Sequence, residues 1–173
     1  MITRLLLGGA KQKPGYVARV ALAGAHIIGK IDLTGGQIEH ELLLERCWLD
    51  KPIDFTNASS KSVVFDRTHL FGLRASGWKV AGSVCFDNSH CDGEIRLRDA
   101  KIDGYLSFNR STLSNPHQYA LFAEGLTVNN DMLCRGGFTA NGEIRLRAAH
   151  ITGTLDFDGA TLNNPGQGGS ERQ

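Results

Sequence analysis

The groups in this chain best suited to chemistry are imidazoles and guanidiniums. His69 and His90 stand 21 residues apart in matching contexts, and His26 belongs to the same series. Imidazole nitrogens bind borderline divalent metals and titrate nearest neutrality, so two that meet can start a metal site. Arg74, Arg96, Arg98, Arg145 and Arg147 form a second set, whose guanidiniums suit phosphate or carboxylate recognition. The thiols of Cys47, Cys85, Cys91 and Cys134 have neither CxxC nor zinc-framework spacing, and with no export signal they are expected to be reduced. Beyond these, the parts of a catalytic site are missing: the chain has no GxGxxG, GxxxxGK[ST], HExxH or GxSxG. The balance of 19 Lys and Arg against 18 Asp and Glu argues against a nucleic-acid binder.

What these groups can do depends on the elements that carry them, and the chain of 173 residues is built on repetition. The segment GEIRLRDAKIDGYLSFNRSTLSNPHQ, beginning at Gly93, returns 49 residues later from Gly142 as GEIRLRAAHITGTLDFDGATLNNPGQ. Inside each copy lies a period of 11, visible as apolar-x-apolar triplets such as Ile95 and Leu97, then Leu106 and Phe108. Small residues recur at alternate triplets, among them Ala25, Gly36, Cys47, Ala58, Thr68, Ser89, Ala100 and Ser111. Triplets this short do not fit a helical period of 3.6. They fit very short strands that stack on copies of themselves in a solenoid. Two faces per coil leave no room for paired Phe and Leu, so the spacing predicts four faces and about 22 residues per coil, with six to seven coils. Phe65, Phe86, Phe108, Cys134 and Phe157 then fall in one interior column.

The predicted fold is therefore all-β: a parallel β-helix over residues 20–162, preceded by an N-terminal cap (1–19) and followed by a polar tail (163–173). Asn115 to Tyr119 reads as an outward insertion at a corner. Trp78 sits near an inward position otherwise held by small residues, which predicts a distorted coil from Gly72 to Ala81.

The units Cys47-Trp48-Leu49, Ala100-Lys101-Ile102 and Ala160-Thr161-Leu162 resemble those of the pentapeptide-repeat superfamily of right-handed quadrilateral β-helices. The GEIRL run, the Asn115-Pro116 and Asn164-Pro165 corners and the 49-residue repeat resemble long actinobacterial repeat proteins that often carry an oxidoreductase label. No motif in the chain corresponds to that label. Flat faces on a rod without catalytic motifs point to a non-enzymatic scaffold. Its alternatives are a DNA-mimicking modulator of a type II topoisomerase, or an accessory or catalytic protein of a biosynthetic pathway.

With the middle residue of each triplet facing outward, four surface columns follow. One runs Asp32, Asp54, Arg74, Arg96, Phe122, Arg145, flanked by Arg98 and Arg147, and is the candidate anion-binding face. A second runs Ala21, Leu43, Val64, Cys85, Ser107, Leu133, Asp156. Leu43, Val64, Cys85 and Leu133 make it the expected partner-binding or self-association surface. A third runs His26, Trp48, His69, His90, Thr112; on this reading no carboxylate or cysteine completes a metal site there. The fourth, Gln37, Ser59, Lys79, Lys101, Thr127, His150, is polar. The expectation is a cytoplasmic protein without cofactor that binds a protein partner or itself, with no membrane or nucleic-acid contact.

Overall fold

The computed structural model describes Thr3, Leu6 and residues 19–164. The predicted cap therefore falls almost wholly outside the described residues, as does the tail from 165 onward. The described chain is a parallel β-solenoid of about seven coils with about 22 residues per coil. None of its helices is long and apolar enough to cross a membrane.

Most strands are two residues long, and each pairs in parallel with the equivalent strand one coil away. They form a seven-stranded sheet, a six-stranded sheet and an eleven-stranded sheet that turns a corner through the long strand Thr112–Phe122, which makes four faces. The register is the expected one: Leu43 pairs with Val64, Val64 with Cys85, His69 with His90, Arg74 with Arg96, and Lys79 with Lys101. Coil length is not rigid. Leu42 pairs with Val63, 21 residues on, whereas Leu106 pairs with Met132, 26 residues on, because Asn115 to Tyr119 bulges with a shift of register.

The core is a ladder of rings. Phe65, Phe86 and Phe108 stack with centroids 5.0 and 4.9 Å apart, in the offset range that aromatic pairs prefer. Cys134 continues the column, and one corner later Phe138 leans in 6.0 Å from Phe108, filling the volume that the small thiol leaves.

The coil around Trp78 corrects a sequence expectation. It is in register on both sides, with Leu73 opposite Ile53 and Ile95, so it is not distorted. Trp78 is fully buried and stacks on Phe55 at 4.4 Å, and its indole N–H donates to Ser60 Oγ at 3.0 Å. Room comes from an exchange across one turn: the coil before reads Phe55 and Ala58, whereas this one reads Ala75 and Trp78.

At one corner the small inward residues hydrogen-bond along the axis. Thr68 Oγ1 donates to Leu44 O and accepts from the Cys47 amide, and Ser89 Oγ donates to Phe65 O and accepts from the Thr68 amide. At another corner the GEIRL motif explains its glycine. Gly142 has φ +133°, and a Cβ there would stand 2.5 Å from Asn115 O.

Candidate functional site

Each predicted set lies along one face of the solenoid. On the arginine face the column forms as expected, and Arg96, Arg98 and Arg145 are already matched. Arg96 Nε is 2.7 Å from Glu94, and its guanidinium lies 4.9 Å over the Phe122 ring. Arg145 Nε is 2.6 Å from Glu124, and Nη1 donates to Tyr119 Oη at 3.0 Å. Arg98 pairs with Asp99 at 3.3 Å, and Arg147 is exposed. Arg74 lines an open groove together with Lys30, Lys51 and Pro52. Beneath it Lys30 is held by Asp32 at 2.6 Å and Asp54 at 3.7 Å. The hydrogen bond from Lys30, seconded by Thr34, brings the Asp32 carboxyl down to about 2.

On the apolar face Ala21, Leu43 and Val64 lie side by side on Arg19–Ala23, Glu41–Glu45 and Val63–Asp66. These are the longest strands of that sheet, so the surface there is broad as well as flat. Charges frame it: Arg19 pairs with Glu41 at one edge, and Arg67 bridges Glu45 and Asp66 at the other. Cys85 continues the row but is only 8% exposed, and Ser107 beyond it is covered by hydrogen bonds from Asn109 and to Asp87. Leu133 is half-buried farther along, beyond Ser107.

All four thiols are free and buried. Loss of hydration on burial pushes Cys91 and Cys134 each up to about 12, so both remain protonated at neutral pH and neither is a nucleophile.

The histidine face departs from the sequence reading, which found no carboxylate to complete it. Asp92 is there. His90–Asp92 is three residues long, so Asp92 projects to the same side as His90. Asp92 Oδ1 lies 2.9 Å from His90 Nε2, and Oδ2 lies 3.1 Å from His69 Nε2. The His90 contact is a well-directed hydrogen bond; that to His69 is close but poorly aligned, and His69 Nε2 has no satisfactory partner. Trp48 stacks flat on the His69 ring at 3.8 Å, and Phe71 stands 5.1 Å away. His69 is accordingly pulled below the usual histidine value, first by loss of hydration and then by the neighbouring His90, against the opposing pull of Asp92. His26 repeats the diagonal contact one pair of coils earlier, with Nε2 2.7 Å from Asp50. The signal that would have revealed both carboxylates is the strand's own period of two, carried one step past each triplet.

No protein-family model matches the chain, and no curated protein or solved structure matches it either.

Proposed function

We propose that this solenoid is a pentapeptide-repeat-like scaffold that docks a protein partner, or a second copy of itself, through the apolar face. The observation that carries the reading is the in-register row Ala21, Leu43, Val64 on three long strands, framed by the Arg19–Glu41 and Glu45–Arg67–Asp66 ion pairs. An apolar centre inside a charged rim is how protein interfaces are built: the centre supplies desolvation, and the rim sets partner and register. The rigid core suits such a role, since a surface held flat by stacked rings loses little conformational entropy on docking. The contact centres on Leu43 and Val64. Cys85 adds little area because it is already covered.

Leu43→Asp with Val64→Asp tests the reading, because both side chains point away from the core and the fold should survive. Expected is a wild-type mass by light scattering that rises with concentration, or a partner recovered from lysate, with either lost in the double variant while the β-rich circular dichroism is kept. A wild type that is monomeric throughout and recovers the same proteins as the double variant would remove it.

A further inference from the structure

The histidine face carries columns two deep. His26, Trp48, His69 and His90 form the first, in register from coil to coil. Two residues on, and on the same side of the strand, stand Ile28, Asp50, Phe71 and Asp92. Where the two columns cross, one carboxylate sits between two imidazoles.

We propose that His69, His90 and Asp92 form a binding site for one divalent cation of the zinc class. Their ligand atoms lie within 4.8 Å of one another. Bonds of about 2.1 Å to a common ion place neighbouring donors roughly 3.0–3.4 Å apart, and the two contacts of Asp92 already have about that spacing. The imidazole pair closes on an ion by a swing of at most about 1.5 Å, within reach of a side-chain rotation.

Three further features point to a cation rather than to a hydrogen-bonded pair alone. The first is the unmet Nε2 of His69: buried, beside a carboxylate oxygen, without an aligned partner. A metal ion would take that lone pair. The second is the aromatic support. Trp48 at 3.8 Å and Phe71 at 5.1 Å fix the plane of the imidazole beside Asp92, so little side-chain freedom is lost when an ion binds. The third is the donor chemistry. Two nitrogens and one carboxylate select zinc-like ions over magnesium or calcium, which take oxygen shells. The side chains of His90 and Asp92 are each 43% exposed, so the remaining coordination positions open to solvent. His26 and Asp50 supply an internal control, being the same pair without a second imidazole. The site lies on a different face from Leu43 and Val64, so the two readings stand or fall separately.

The test is a zinc titration of the full reduced chain against a chromophoric chelator, with cobalt absorption as a second readout. Expected are one zinc per chain, indifference to excess magnesium, and a cobalt spectrum without the sulfur charge-transfer band that thiolate ligands would give. His90→Ala and Asp92→Asn should each weaken binding roughly tenfold or more, whereas His26→Ala should leave it unchanged. Circular dichroism checks that each variant is folded. Absence of saturable zinc binding, binding that survives both His90→Ala and Asp92→Asn, or a sulfur band in the cobalt spectrum would each overturn the proposal.

Discussion

At the scale of single residues, the acid groups of the arginine face set how the fold responds to pH. Asp32 accepts from Lys30 Nζ at 2.6 Å and from Thr34 Oγ1 at 2.7 Å, which holds its carboxyl near 2. Burial works against Asp54, yet hydrogen bonds from Thr56 and Thr34 and the charge of Lys30 outweigh it, so its value also falls. A carboxyl depressed by folding stabilises the fold above its unfolded value, near 3.9, and that stabilisation goes as pH falls through the folded value. The urea midpoint should therefore drop between about pH 4 and pH 2, and Asp32→Asn should flatten part of that drop; an unchanged acid slope in the variant would refute the assignment. The same scale shows where the sequence was readable. Which residues face out was legible for His69, His90, Arg74 and Arg96, because the register follows from the period alone. Asp92 and Glu124 were not, because both lie one step beyond the triplet, Asp92 two residues after His90 and Glu124 two residues after Phe122.

At the scale of the coil, the period dictates volume rather than residue type. The ring column was legible in Phe65, Phe86 and Phe108, each followed three residues later by a small side chain. Trp78 read as a misfit only because its small partner, Ala75, precedes it by a turn. The pair Ala75 and Trp78 holds the same interior as Phe55 and Ala58 with the large and small members exchanged, and Cys134 with Phe138 does the same farther along. That account makes a non-additive prediction. Trp78→Ala opens a cavity beside Phe55 and should cost about 3–5 kcal/mol. Ala75→Phe alone overpacks a filled coil and should cost about 1–3 kcal/mol. Together they recreate the arrangement of the preceding coil, so the double variant should be more stable than Trp78→Ala by urea unfolding. Simple additivity of the two losses would mean that the coils do not trade volume in this way.

At the scale of the whole molecule, each strand pairs only with its counterparts in adjacent coils, so stability is a chain of nearest-neighbour terms rather than one shared core. The middle coils have neighbours on both sides, and their inward side chains are almost fully buried: Phe65, Phe86, Phe108, Ile95 and Leu106 are each at most 1% exposed. The last described coil differs. Its inward Ile144, Leu146, Ile151 and Phe157 are only partly buried, Leu155 is 45% exposed and Leu162 is 55% exposed. Less apolar area removed from water means a weaker interface term, and in a one-dimensional array a coil with a weak term opens first, without unfolding its neighbours. Native-state amide exchange should therefore show two classes. His150, Thr152 and Thr161, whose amides bond back onto Leu126, Val128 and Phe138, should exchange by local opening of that coil. Phe86, Asn88 and His90, bonded to Ser107, Asn109 and Thr68, should exchange only with the central array. Adding low denaturant should steepen the second class and leave the first nearly flat, because the first exposes little surface on opening. Equal protection and equal denaturant dependence in both sets would show that the seven coils melt as one unit and that the nearest-neighbour description fails here.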